Sequence, residues 1–153
     1  RCQTEWASLL DSDDLWLPSK LEKQAPLTET YDVIGTQCFY FGTGLTTGMP
    51  NQPHLPLGDI NPISFFDNNP IINSSAVFKA SDGKWDPSVE GVEDYDMWLR
   101  LNKEKKNFYN IGEALCLHRL HQQSSFNTRD FSRTINSIKK KWKVNPRSPT
   151  ICT

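Results

Sequence analysis

The sequence predicts an α/β domain in which a mixed sheet is flanked by helices. Two observations support this fold class. Segments rich in β-branched and aromatic residues alternate with helix-like segments, which is typical of α/β domains. Residues 31–80 hold strand-like segments with no helix between them, and strands joined without a crossover helix are usually antiparallel. Together the two patterns indicate a sheet with both parallel and antiparallel strands.

The amino-terminal half contributes a strand, a helix, a second strand and a long loop. Residues 5–10 form a short apolar run that ends in a pair of leucines, and this predicts a buried strand. Pro18 suits the first turn of a helix, so we expect a short helix over 18–25. Residues 31–41 are β-branched and aromatic, which predicts a strand. Prolines and glycines mark residues 42–62 as a long surface loop, a feature that is often functional or mobile.

The carboxyl-terminal half alternates strands and helices. Residues 71–79 and 109–117 predict strands. Residues 93–106 predict a helix, because Trp98 and Leu101 share a face and three lysines lie near the carboxyl end, where the helix dipole favours cations. A last helix, capped by Asn127 or Thr128, is predicted from apolar residues that recur at helical spacing. These residues are Phe131, Ile135, Ile138 and Trp142.

Composition limits the possible classes of protein. The chain has 153 residues and a net charge of −1, so nothing in its overall charge indicates a nucleic-acid partner. Its aromatic content of 11% argues against disorder. No apolar run is long enough to span a membrane. Four separated cysteines form no metal-binding pair, so we expect buried thiols in a reducing compartment.

The segment Asp11-Ser12-Asp13-Asp14 places three carboxylates between the first strand and the first helix. In open α/β sheets, ligands bind just outside the carboxyl ends of strands. Mg²⁺ prefers one or two carboxylates together with phosphate oxygens, so this loop is a candidate site for a metal with a phosphate ligand. Asp and Ser are also common in turns and helix caps, and the segment taken alone fits that simpler interpretation equally.

Two further polar clusters follow. Glu93 and Asp94 begin the predicted helix, where the dipole stabilises acidic side chains. A carboxylate held over a metal–phosphate site could instead act as a general base toward a hydroxyl. The polar segment His118-Arg119-Leu120-His121 follows a predicted strand. Arginine can bind phosphate and histidine can bind a metal, although histidines in a surface loop need no such role.

Taken in order, these segments resemble the family-2 glycosyltransferases of the GT-A fold. The acidic loop and the following helix, 10–24, resemble the family's D-x-D site, and 73–79 is similar to its acceptor-side strand. Residues 93–101 are similar to its E-D base motif, and 119–125 resemble its closing loop. The resemblance extends from residue 5 to about 142 and is carried by four ordered segments rather than by one motif.

This resemblance implies transfer of a sugar, with inversion, from a nucleotide diphosphate sugar to a hydroxyl of a sugar, lipid or protein acceptor. It implies that Asp94 is the general base and that Glu93 orients the acceptor or Asp94. It assigns Asp13, Asp14 and His121 to a Mn²⁺ or Mg²⁺ ion. It assigns Asp11, Arg119 and His121 to the diphosphate.

The resemblance covers only the second half of the GT-A domain, from the D-x-D motif onward. Ten residues precede Asp11, so the nucleotide-binding βαβ units are lacking. We expect residues 1–144 to form the carboxyl-side portion of the domain and 145–153 to be an irregular tail. Another polypeptide or chain segment would supply the missing half. A non-catalytic interaction module and a metal-dependent nucleotide hydrolase are alternatives.

The expected location is cytoplasmic. The basic stretch 139–143 leaves membrane association open, although a solvated helix face explains the same residues.

Overall fold

The computed structural model describes residues 3–45, 47–121 and 129–143. Several predictions concern residues outside these ranges: the cap at Asn127 or Thr128, the end of the fourth segment at 122–125, and the tail at 145–153. Cys2 and Cys152 also lie outside them. The division of the chain at residue 144 therefore stays a prediction.

The described residues form a mixed sheet with helices packed against it, which confirms the predicted fold class. The strands are β1 (Trp6–Ser8), β2 (Leu15–Trp16), β3 (Val33–Phe41), β4 (Gly58–Asp59), β5 (Val77–Lys79) and β6 (Phe108–Arg119). The α-helices are α1 (Lys20–Gln24), α2 (Glu93–Lys103) and α3 (Ser132–Lys141). Short 3₁₀ helices span Ala25–Glu29, Pro62–Phe66, Asn73–Ser75 and Ala80–Asp82.

The two long strands, β3 and β6, are parallel neighbours at the centre of the sheet. The strand order is β1-β5-β3-β6-β2, and β4 also pairs with β6. Every pair apart from β3–β6 is antiparallel. The sheet is therefore mixed, as the strands without intervening helices predicted.

The core lies between the sheet and α2. Trp98, on α2, is fully buried. Its ring packs edge-on against Phe78 of β5 and Phe108 of β6, with centroids 5.6 and 6.5 Å apart. Leu101, which the sequence placed on the same helix face as Trp98, is fully buried as well. Because α2 is fixed on the sheet by these contacts, its amino-terminal turn has a fixed position.

Helix α3 lies against α2 and confirms the predicted apolar stripe. Ile138 is buried, and the rest of the stripe packs partly buried against the core. Trp142 donates from Nε1 to Oδ1 of the buried Asp96, at 2.6 Å. Nζ of Lys141 lies 3.1 Å from the same oxygen. These polar contacts anchor the carboxyl end of α3 to the first turns of α2.

Four predicted elements were wrong in part, and three of them are strands or helices with different limits at one end. The strand over 71–79 begins only at Val77, because Ser75 Oγ and Ser75 N both bond the Ile72 carbonyl and turn the chain into a 3₁₀ helix. The first strand ends at Ser8 rather than at Leu10, which is 47% exposed. The helix over 93–106 ends at Lys103, and Lys105 adopts a positive φ of 65° just beyond it.

The first helix begins later than predicted. Lys20, rather than Pro18, is its first residue, because the Lys20 amide donates to the Leu17 carbonyl and Pro18 lies in the turn that this bond closes. The sequence analysis did not predict β2. Cys38 and Cys116, which face each other across β3 and β6, are buried free thiols, as predicted for the cysteines.

No helix in residues 3–45, 47–121 and 129–143 is both long and apolar enough to cross a membrane.

Candidate functional site

The acidic loop between β1 and β2 is held by the 3₁₀ helix Asn73–Ser75. The Asp11 amide donates to Ser74 Oγ at 3.0 Å, and Asn73 Nδ2 donates to Asp11 Oδ1 at 2.9 Å. Within the loop, the Asp14 amide donates to the Asp11 carbonyl at 3.1 Å. The loop is therefore a closed turn with its position fixed on the neighbouring 3₁₀ helix.

Asp14 is the buried carboxylate of this loop. Its Oδ2 lies 2.9 Å from His118 Nδ1, and its Oδ1 accepts the Arg119 amide at 2.8 Å. Burial opposes the charged carboxylate, but hydrogen bonds from His118, Ser74 and the Arg119 amide outweigh it and lower the pKa of Asp14. The same bond to Asp14 raises the pKa of His118, against the effect of burial. Asp14 and His118 therefore form a charge pair that fastens the loop to the end of β6.

Asp13 is partly exposed, and its side chain contacts His121 rather than His118. Its Oδ2 lies 3.1 Å from His121 Nε2, and its carbonyl accepts the Arg119 Nε at 3.0 Å. The guanidinium of Arg119 also lies over the Phe41 ring, 4.4 Å from the centroid. Arg119 is thus held beside the loop by contacts on two sides.

The 3.1 Å between Asp13 Oδ2 and His121 Nε2 is a hydrogen-bond distance, which two ligand atoms of one cation could also have. Ligand atoms about 2.1 Å from an octahedral ion, at right angles to each other, are about 3 Å apart. In the described part of the chain, no group of three or more His, Cys, Asp or Glu side chains could hold a metal. A divalent ion here would take Asp13 and His121 as its protein ligands, with phosphate oxygens or water completing the shell.

The resemblance assigned Asp14 to the metal, and the structure does not test that assignment. The Asp14 side chain is fully buried, and both of its oxygens are engaged by the end of β6. In this structure Asp14 holds the acidic loop in place.

Glu93 and Asp94 form the first turn of α2. Asp94 is partly buried, and its Oδ2 accepts Asn69 Nδ2 at 3.0 Å. Burial, together with the nearby charges of Asp11 and Glu93, raises the pKa of Asp94 to about 6, although the Tyr95 amide and Asn69 lower it. A carboxyl with a pKa near neutrality is suited to accept a proton in one step and release it in the next.

The acidic loop and the start of α2 open onto one cavity of about 1190 Å³. Asp11 and His118 lie on its wall beside the acidic loop, and Glu93 and Asp94 lie on its wall at α2. Apolar and aromatic side chains also line it, among them Tyr40 of β3, Met49 and Leu55 of the long loop, and Trp85 and Val89 of the segment before α2. Charged and amide side chains thus converge on a cavity that also has apolar walls, as is typical of a ligand site.

The structure thus brings together the residues of the acidic loop and the end of β6, and Asp94 lines the same cavity as Asp11 and His118. It does not test their roles, which stay predictions. Sequence reasoning missed Asn69, Ser74 and the contact between His118 and Asp14. Asn69 lies in a stretch with no periodicity, and only its place in the fold reveals it. Ser74 lies in a segment that the sequence analysis assigned to a strand.

Comparisons with known proteins show which proteins this chain resembles. The model superposes on TarS of S. aureus in complex with UDP-GlcNAc with a TM-score of 0.64, at 11% identity over 92% of this chain. It superposes on TarS in complex with UDP with a TM-score of 0.59, at 12% identity over 94% of the chain. At such identities the likeness shows the fold, and the fold is that of a glycosyltransferase domain.

In sequence, the chain is 29% identical over 136 residues to a protein of Bacillus subtilis (strain 168) named Putative glycosyltransferase EpsE. No family model matches the chain. The resemblance to glycosyltransferases is therefore confirmed. The chain covers 47% of EpsE and 42–43% of the TarS chains, so it spans less than half the length of these relatives.

Proposed function

We propose that this chain is the acceptor-side and diphosphate-side portion of an inverting glycosyltransferase that uses a nucleotide diphosphate sugar. The observation that carries the proposal is one cavity lined by Asp94, with its raised pKa, by Asp11 of the acidic loop and by His118 at the end of β6. A transferase needs these groups around one cavity, because the base must approach the acceptor hydroxyl while the leaving diphosphate is held close by.

The cationic and polar groups at the end of β6 support the diphosphate role. Arg119 lies beside the acidic loop, where it can pair with phosphate oxygens. The two TarS structures are complexes with UDP and with UDP-GlcNAc, which supports a nucleotide sugar as the donor of this chain. Asp11, with its side chain held by Asn73, lies on the cavity wall where a donor sugar would meet the loop.

A Mn²⁺ or Mg²⁺ ion held by Asp13 and His121 would supply positive charge that stabilises the departing diphosphate. Asp13 lies on the loop that the buried Asp14 fixes to the end of β6, and its Oδ2 is held 3.1 Å from His121 Nε2.

Asp94 would take the proton of the acceptor hydroxyl as that oxygen attacks the anomeric carbon from the side opposite the diphosphate. Its position at the start of α2 is fixed through Trp98 in the core. Glu93, on the same turn, lines the cavity and can accept a hydrogen bond from a second acceptor hydroxyl. The acceptor would enter over the exposed face of Trp85, which is 43% accessible.

The test is sugar transfer from UDP- and GDP-sugars, with Mn²⁺, by the full natural protein that contains this chain. Asp94→Asn should lower kcat by about 10²–10⁴-fold and change the KM for the donor little, because general-base catalysis contributes about that factor. Asp67→Asn is a matched control, since Asp67 is exposed and lines the same cavity. Equal activity of the two variants would contradict the assignment of Asp94 as the base.

A further inference from the structure

Asn69 makes a defined contact with the candidate base. It lies in the segment between the 3₁₀ helices Pro62–Phe66 and Asn73–Ser75, and its side chain reaches α2. Its Oδ1 accepts the Ile71 amide at 3.2 Å, and its Nδ2 donates to Asp94 Oδ2 at 3.0 Å. Because the Ile71 amide can only donate, the acceptor oxygen of Asn69 must face it, and this leaves the NH₂ group facing Asp94.

The surroundings of Asp94 are otherwise unfavourable to a carboxylate. Burial favours the neutral form, and the charges of Asp11 and Glu93 favour it further. Other charged or titratable groups also line the cavity: Asp67, Asp86, Glu90, His118 and Lys139. Against the negative groups, Asn69 and the Tyr95 amide are the hydrogen-bond donors that stabilise the charged form of Asp94.

An amide suits this position better than a cation would. A lysine or arginine would stabilise the carboxylate so strongly that it would be a poor proton acceptor. A neutral donor orients one oxygen and moves the protonation equilibrium only modestly, so the group can both gain and lose a proton near neutral pH.

From this geometry we propose that Asn69 is a positioning residue, which holds the Asp94 carboxylate ionised and oriented toward the cavity to accept a proton from the substrate hydroxyl. The inference rests on the proposed function of Asp94. It assigns the role to a residue outside all of the acidic and basic motifs of the sequence.

The direct test measures the protonation of Asp94 without requiring turnover. The full natural protein is labelled with ¹³C at aspartate carboxyl carbons, and Asp94→Asn identifies the Asp94 signal. Its titration is followed by NMR in the unsubstituted protein, in Asn69→Ala and in Asn68→Ala. Asn68 is a matched control because it is the exposed neighbour on the same cavity wall.

Asn69→Ala should raise the midpoint of the Asp94 titration by about 1 pH unit, since a hydrogen bond to a charged group is lost. Asn68→Ala should leave it unchanged. The acidic limb of the kcat/KM profile should move by the same amount as the NMR midpoint. Asn69→Asp keeps an acceptor for the Ile71 amide but places a second carboxyl beside Asp94, so it should raise the midpoint further.

An Asp94 midpoint that does not move in Asn69→Ala would overturn the proposal, even if turnover fell. If Asn69→Ala fails to fold by circular dichroism, Asn69→Leu, which has a similar size and no hydrogen-bond donor, is titrated in its place. If the Asp94 midpoint moves in Asn69→Ala but turnover survives Asp94→Asn, the contact of Asn69 with Asp94 is supported and the proposed role of Asp94 as base is refuted. The two proposals therefore fail separately.

Discussion

Replacing Asp14 with asparagine should destabilise the fold in a pH-dependent way. Asparagine has nearly the same shape, and its Oδ1 can still accept the Arg119 amide. The change removes the charge that faces His118 Nδ1 at 2.9 Å. The Asp14 side chain is fully buried and that of His118 is 35% exposed.

The expected loss follows from those two exposures. A hydrogen bond between charged groups contributes about 1.5–3 kcal/mol when it is buried. Solvent at His118 weakens the charge interaction, so we expect a loss of about 1–2 kcal/mol in the free energy of unfolding.

The loss should be greatest between about pH 4 and pH 6.5. The pKa of Asp14 is lowered from 3.8, so its contribution is present above that value and disappears as the pH falls through the folded-state pKa. The pKa of His118 is raised from 6.5, so its contribution is complete below that value and disappears as the pH rises through the folded-state pKa. At pH 9 only the neutral hydrogen bond remains to be lost.

Urea unfolding of the full natural protein at pH 5 and pH 9 measures this difference. Asp13→Asn is the internal control, because the Asp13–His121 pair is 41% and 35% exposed and should contribute about 0–1 kcal/mol. The reasoning is refuted if Asp14→Asn costs no more than Asp13→Asn at pH 5. It is also refuted if the cost of Asp14→Asn does not fall between pH 5 and pH 9.

Two further outcomes are expected. Lys141→Met should lower the free energy of unfolding by about 1 kcal/mol, because the buried Asp96 then keeps only Trp142 Nε1 of these two side-chain donors. Lys140→Met, at an exposed position of the same helix, should have no effect in the same urea titration. Asp13→Asn should reduce at least tenfold the gain in UDP affinity that Mn²⁺ causes, as measured by isothermal titration calorimetry, and should leave the UDP affinity in EDTA unchanged. An equal gain in both proteins would show that Asp13 does not bind the metal.

The sequence predicted those parts of the fold that hydrophobic periodicity determines. Helix α2 and the long strands β3 and β6 were found within a few residues of their limits, because each carries a run of apolar side chains that must be buried. The apolar stripe of α3 was found for the same reason. The error at 71–79 has the opposite origin, since Ser75 bonds the backbone locally and ends the strand pattern.

The candidate site was predictable in its charged residues but not in the groups that hold them. Acidic clusters at Asp11–Asp14 and Glu93–Asp94 stand out in the sequence, because several carboxylates are close together. Asn69 and Ser74 are ordinary polar residues, and their roles depend on which side chain lies opposite them across more than twenty positions of chain. No local pattern records such a pairing.

The two-residue strand β2 accounts for the meeting of the acidic loop with the end of β6. Leu15 pairs with Leu117 and Trp16 with Cys116 in antiparallel register. Extending this register by one residue places Asp14 opposite His118. The 2.9 Å contact between those two side chains follows directly, as does the approach of Arg119 to the Asp13 carbonyl. A shift of the pairing by one residue would turn the Asp14 side chain to the other face of the sheet and separate it from His118. The buried Asp14–His118 pair therefore selects the register of β2, and that register in turn places Asp13 beside His121.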